Sequence, residues 1–304
     1  MNRYYSLNDY FKNTFNEKVY KVSIDAGFSC PNRDGTISTG GCIFCSESGS
    51  GEFAGTRHKS ITEQIDEQLE FISHKFPTGK VIAYFQNFTN TYGDINHLEK
   101  IYNEAISHPR VLGLSIATRP DCLPEEVLDL LDTLNKKTTL WIELGLQTSN
   151  DFVAQAINRG YNTNIYTDAM IKLKALNIKV ITHIIIGLPF STLKDEINTA
   201  ILARDLGTWG VKLHLLYLLK NTKLETLYNT GAFTLLELDD YIHRVISILE
   251  ILPKDVVIHR LTGDGDKNSL IGPLWSLNKR NVLNSIVKEM TVKNTYQGIN
   301  AHTI

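Results

Sequence analysis

From residue 60 onward the chain alternates amphipathic stretches with short β-branched apolar runs, and a parallel sheet is the architecture that accommodates such an alternation. The runs at 21–25, 80–85, 111–118, 139–144, 179–186, 211–216 and 256–261 read as strands. Helices are expected near 60–75, 95–107, 124–135, 150–157, 163–176, 192–206, 222–229 and 235–250. Thr192 followed by Asp195, and Pro124 followed by two glutamates, are helix start signals. Strands spaced about 30 to 40 residues apart fit βα crossovers, which are right-handed almost without exception. Units that all curl the same way close into a full or partial barrel. The expected fold class is therefore α/β, a partial (β/α)6 TIM-like barrel of about six core strands.

A single domain over residues 1–304 is the economical organisation: an N-terminal extension at 1–20, a barrel core at 21–255 with a loop at 26–50, and a C-terminal extension at 256–304. No Pro-, Gly- or Ser-rich linker and no repeat interrupts 60–250. A hydrophobic fraction of 42% with 21% charged residues describes an ordinary globular chain that can bury a core. No run approaches the roughly 20 apolar residues of a membrane span, and the opening MNRYYSLNDYFKN lacks the apolar stretch of a signal peptide. A cytoplasmic protein with no membrane attachment is expected. The formal net charge of −2 advertises no global basic field for nucleic acid.

Three of the four cysteines crowd into one segment, Cys30, Cys42 and Cys45, which suits a metal centre better than a disulfide framework. The segment follows the first strand and is rich in Gly, Pro, Asn and Ser, so it is a loop at the strand's C-terminal end, where βα loops converge on one cavity. Eleven residues separate Cys30 from Cys42 and two separate Cys42 from Cys45. Soft thiolates suit an iron–sulfur cluster, and three of them leave one iron open to an external ligand such as S-adenosylmethionine. A structural zinc site completed by His58 or Cys122 satisfies the same spacing. The fourth cysteine, Cys122, also reads as a small, partly buried thiol. A Gly-rich phosphate loop, a Ser-His-Asp order and a zinc-hydrolase motif do not assert themselves.

The triplet Cys42-Ile43-Phe44-Cys45 resembles the signature of the radical S-adenosylmethionine superfamily, Phe44 included. Cys-Pro-Asn-Arg-Asp-Gly at 30–35 and Gly-Gly-Cys-Ile-Phe-Cys at 40–45 are similar, more narrowly, to the YtqA/YhcC family, over about residues 4–285. That resemblance implies a [4Fe-4S] cluster on the three cysteines and S-adenosylmethionine as cofactor. It also implies a reducing partner such as flavodoxin or ferredoxin. Tyr84-Phe-Gln-Asn-Phe-Thr stands where the family has glycines near the methionyl amino group, which brings in Gln86 and Asn87, with Thr89 beside them. Ile142-Glu-Leu-Gly-Leu-Gln, with Arg159, resembles the segment that reaches the adenosyl and methionyl parts, which brings in Gln147, Arg159 as a fork for the methionyl carboxylate, and Glu143. Glu143 is equally placed to be an ion-pair partner. His183 takes the polar position that approaches the ribose, or serves as a core histidine.

Ala117-Thr-Arg-Pro-Asp resembles a segment of Elongator-type tRNA-modifying enzymes and brings Arg119 and Asp121 toward the cavity, or into a local ion pair. Arg260-Leu-Thr-Gly-Asp-Gly-Asp resembles a C-terminal signature and forms an anion-friendly turn or a tight loop. The resemblance implies cleavage of S-adenosylmethionine to a 5′-deoxyadenosyl radical and modification of the C5 side chain of a tRNA wobble uridine. The alternatives are a small-molecule biosynthetic radical enzyme of the tetrapyrrole type, and a zinc-stabilised non-catalytic binding module.

Overall fold

The computed structural model describes residues 2–47, 49, 54–74, 76, 79–263 and 265–301. Residues 48 and 50 of the cysteine loop, residue 75 of the first expected helix, residue 264 of the C-terminal signature and residues 302–304 lie outside them. In chain order the elements begin with α1 (Leu7–Phe15), β1 (Tyr20–Ile24), α2 (Ile61–Ile72), β2 (Val81–Phe85), α3 (Ile95–Ser107), β3 (Val111–Thr118), α4 (Glu125–Lys137) and β4 (Thr139–Gln147). They continue with α5 (Asp151–Ala156), α6 (Thr163–Ala175), β5 (Lys179–Ile186), α7 (Leu193–Asp205), β6 (Gly210–Leu215), β7 (Leu218–Leu219), α8 (Lys223–Asn229) and α9 (Leu238–Ile251). Last come β8 (Val257–Arg260), β9 (Leu270–Gly272), a 3-10 turn (Leu274–Leu277) and α10 (Lys279–Val292).

Seven strands pair in the order β1-β2-β3-β4-β5-β6-β8, all parallel, and the fold is an α/β half-barrel with helices on its outer face. The seventh strand joins the six expected for the core because β8 pairs with β6, Lys212 lying opposite Arg260. Strand β2 reads as an unbroken apolar run, and β3 nearly so, because both faces are covered. Ala83, Phe85, Leu114 and Ile116 pack outward with α2, α3 and α4, while α7, α9 and α10 cover β5, β6 and β8. Gly113 is required where β3 meets β4, since a Cβ there would lie 2.2 Å from the Thr139 carbonyl oxygen.

The N-terminal extension contains a helix that the periodicity of nine residues is too short to announce. A capping box between Ser6 and Asp9 starts α1, and its buried Tyr10 and Phe11 close the bottom of the barrel. Tyr10 meets Trp209 edge-on at 4.8 Å, and Phe11 lies 5.8 Å from Trp141. Ile82, Ile181 and Val257 complete this apolar floor. Polar residues on the barrel interior therefore sit above a sealed base and open only toward the C-terminal ends of the strands. No described helix is long and apolar enough to cross a membrane.

Candidate active site

A cavity of about 430 Å³ opens at the C-terminal ends of the strands, and Cys30, Cys42 and Cys45 line it. The loop that carries them is built by its own backbone. Arg33 and Asp34 donate N–H groups to the Cys30 carbonyl, Gly41 donates to Asn32, and Cys45 donates to the Cys42 carbonyl at 3.1 Å, folding the last two thiols together. Gly40 and Gly41 both sit in the left-handed region, at φ 84° and 75°, which explains the paired glycines ahead of Cys42. Asn32 ties the loop to the barrel, donating through Nδ2 to the Asn158 carbonyl at 2.6 Å with Cys42 Sγ at 3.6 Å. The Arg33 guanidinium clamps the carbonyls of Cys45, Ser46 and Glu47.

A hydrogen bond from Cys45 lowers the Cys42 thiol toward the thiolate against the burial that raises it, and Arg119 and Asn32 add to the lowering. Cys45, the donor, is pushed up. Cys122 is elsewhere: it is buried, its thiol raised by burial, and it lines a separate cleft with Pro31, Tyr92 and Leu123. His58 is exposed and does not line the cavity. Among the described residues no three His, Cys, Asp or Glu side chains converge on a single ion. Three thiols on one wall, one of them poised toward the thiolate, fit the donor set of a [4Fe-4S] cluster with an open iron. Thr89 Oγ1, buried and without a hydrogen-bond partner, lines the same cavity and fits an incoming polar ligand.

The other expected site residues divide. Phe44, Gln86, Glu143, Gln147, Arg159 and His183 line the cavity, whereas Asn87 does not. Its amide donates to Asp25 at 2.8 Å, and Asp25 also accepts from the Gly27 N–H and from Arg57. Asn87 thus anchors the start of the cysteine loop. Gln147 ends β4 at φ 61°, where the β4–β5 register shifts, and the Tyr161 hydroxyl lies 3.0 Å from its Oε1.

Arg159, expected as a fork for the methionyl carboxylate, lines the cavity with its donors already engaged by the protein. Its guanidinium is buried and donates to the carbonyls of Leu146, Thr148 and Tyr161, with Asp151 and Thr163 at the remaining nitrogen. A guanidinium has five N–H donors, and these are taken up by main-chain carbonyls at and after the end of β4 and by the Asp151 and Thr163 side chains. Arg119 both lines the cavity and makes the local ion pair, forked onto Asp121 at 2.9 and 2.6 Å. Both guanidiniums stack on the Tyr161 ring, at 4.8 and 4.4 Å.

Beneath the cavity, Glu143 is fully buried and takes four partners: Lys21 at 2.5 Å, Lys212, His183 at 2.7 Å and Ser115 at 2.6 Å. Burial would raise its carboxyl, but the ammoniums of Lys21 and Lys212 and the His183 bond hold it well below the usual range. The sequence reading missed both lysines. The available signal was a lone lysine inside an apolar strand run, Val211-Lys-Leu, which must find a counter-charge when its face is the interior.

Burial lowers His183 to about 4, and it holds His214 and His259 well below the ordinary histidine value. All three are neutral in the folded protein at pH 7. Between about pH 6.5 and their folded values the unfolded chain binds more protons, so stability rises with pH in that window and is lost as pH falls through it. Unfolding near pH 5.5 is expected to take up roughly two and a half more protons than at pH 7.5 from these side chains. Urea midpoints measured from pH 7.5 down to 5 check this, and a flat profile contradicts it.

Two family models match the chain, "Radical SAM superfamily" over residues 34–203 and "Radical_SAM C-terminal domain" over residues 208–291. The chain is 45% identical over 296 residues to the uncharacterized protein YtqA of Bacillus subtilis, covering 97% of this chain and 92% of that one. It is 34% identical over 266 residues to protein YhcC of Escherichia coli, covering 87% and 85%. A tRNA uridine(34) acetyltransferase of Dehalococcoides mccartyi is 27% identical over 169 residues, 54% of this chain and 36% of that protein. Among solved structures, the archaeal Methanocaldococcus infernus Elp3 superposes with a TM-score of 0.71 at 18% identity, covering 92% of this chain and 64% of that one.

Proposed function

Because the chain belongs to the radical SAM superfamily, we propose that it is an enzyme holding a [4Fe-4S] cluster on Cys30, Cys42 and Cys45 and acting on the C5 side chain of a tRNA wobble uridine. The observation that carries the first part is the set of three cavity-lining thiols, with the fourth cysteine in a different cleft. When bound, the cluster supplies the one-electron cleavage of S-adenosylmethionine that yields a 5′-deoxyadenosyl radical. The chain's own residues do the rest. Asn32 and Arg33 hold the thiol loop in shape, and Phe44 and Tyr161 wall the cavity with rings. Thr89, Gln86 and Gln147 offer polar groups to the cofactor. Arg159 acts through position, bracing the turn after β4 from which Gln147 projects.

The tRNA part is supported by the sequence likeness to a tRNA uridine(34) acetyltransferase over half of this chain. An unactivated C–H bond on such a side chain needs a radical, since acid–base groups cannot take its hydrogen. A reducing protein such as flavodoxin or ferredoxin delivers the electron, and the reaction takes place in the cytoplasm.

Anaerobic reconstitution with iron and sulfide should give brown protein that forms 5′-deoxyadenosine from S-adenosylmethionine and dithionite. Colourless protein that retains zinc and forms none would refute the radical reading. Nucleosides of tRNA from cells with and without the gene should differ at the wobble uridine. Identical profiles would remove the tRNA substrate while leaving the cofactor chemistry intact.

A further inference from the structure

The barrel interior carries more positive than negative charge, from Lys21 on β1, Lys212 on β6 and Arg260 on β8 against Glu143 on β4. One carboxylate, Glu143, serves both Lys21 and Lys212. Arg260, half-buried at the end of β8, lines the cavity, and its guanidinium makes no hydrogen bond or ion pair among the described residues. The cavity's other arginines are engaged: Arg119 with Asp121, Arg159 with carbonyls, Arg33 with the thiol loop. Asp266 also lines the cavity, but its carboxylate is taken by the N–H groups of Asn268 and Ser269 and by the Ser269 hydroxyl.

Beside Arg260 the neutral imidazole of His214 lines the cavity with Nε2 buried and unpartnered. His183, Lys212 and Arg260 share one register row across β5, β6 and β8, so Lys212 stands directly behind the guanidinium. Gly263 of the covering loop lies against two side chains: a Cβ there would stand 3.2 Å from Tyr217 and 3.5 Å from Arg260 Nη1. A lone guanidinium and an orphaned ring nitrogen make an incomplete set of donors around one acceptor position, with the Lys212 ammonium, itself engaged by Glu143 and Tyr84, behind them.

We propose that Arg260 and His214 form a subsite for an oxyanion, a carboxylate or a phosphate, carried by the substrate. The donors of this subsite come from β6 and β8, whereas the thiol loop follows β1, and the affinity for S-adenosylmethionine separates a substrate oxyanion from the cofactor's own carboxylate. The subsite sets which part of the substrate lies between β8 and the thiol loop, and so which C–H bond is presented. It rests on the cavity being the reaction site proposed above.

The test uses reconstituted protein saturated with S-adenosylmethionine and kept without reductant, titrated calorimetrically with inorganic phosphate and with acetate. The native protein should bind one of the two at a single site, and the tighter one names the group. Arg260→Gln should weaken that binding about tenfold or more and Arg260→Lys less, with S-adenosylmethionine affinity changed by less than about twofold. No anion binding by the native protein, or equal binding by Arg260→Gln, overturns the proposal. A parallel loss of S-adenosylmethionine affinity does so too, by assigning Arg260 to the cofactor. Because no turnover is involved, failure here leaves deoxyadenosine formation intact, and absence of deoxyadenosine leaves the anion measurement valid.

Discussion

Replacing Cys42 with alanine is expected to give a folded, colourless protein whose 5′-deoxyadenosine formation falls to background. Cys42 lies at the centre of the thiol wall: it accepts from Cys45, sits 3.6 Å from Asn32 Nδ2, and is the thiol lowered toward its metal-binding form. Two thiolates cannot hold the cluster that three hold with one iron open. Cys42 is only partly buried, so stability of the protein without cluster should change by no more than about 1 kcal/mol. Circular dichroism and urea unfolding check the fold, while visible absorbance and deoxyadenosine yield check the site. Cys122→Ala is the control and should keep both colour and cleavage. If Cys122→Ala loses colour and Cys42→Ala keeps it, the ligand assignment is wrong.

The second large effect concerns stability. Glu143→Ala leaves Lys21 and Lys212 buried beneath the cavity with no counter-charge, and removing one partner of a buried ionic network typically costs about 3–5 kcal/mol. Lys212 is already lowered to about 7, with burial the largest cause and the Glu143 attraction opposing it. Without Glu143 it loses that support and its proton. Adding Lys212→Met to Glu143→Ala removes one buried amine left without its carboxylate partner and should recover part of the loss. Denaturant unfolding of the two single variants and the double variant measures the coupling. A loss under about 1 kcal/mol for Glu143→Ala would mean that water reaches the lysines.

The strand rhythm was legible because it rests on chemistry that repeats. Each of the seven apolar runs became a strand of the parallel sheet, from 21–25 to 256–261, since burial on both faces favours Val, Ile and Leu along most of each strand. The thiol loop was legible because Cys, Gly and Pro are residues whose local roles depend little on context. Helix α1 was not: nine residues with two buried aromatics form a helix only because Trp141 and Trp209 wait beneath the barrel.

Side-chain purpose was the least legible layer. Glu143 and His183 read as cofactor contacts or core groups alike, and the register that sets them beside Lys212 is a property of three paired strands. Arg159 has the residue type for a carboxylate fork, yet the turn after β4 aims three carbonyls at it first. Asn87 lies one residue from the cavity-lining Gln86 and points instead to Asp25.

By itself, then, the sequence determined a parallel α/β half-barrel with a three-thiol loop at the catalytic ends of its strands, because hydrophobic periodicity and thiolate chemistry are local. Only the tertiary structure decided that Glu143 neutralises two buried lysines, that Arg159 is bound to the main chain, and that Arg260 faces the cavity unpaired. A charged group's role is set by which partners reach it first, and those partners come from strands and loops distant in the chain.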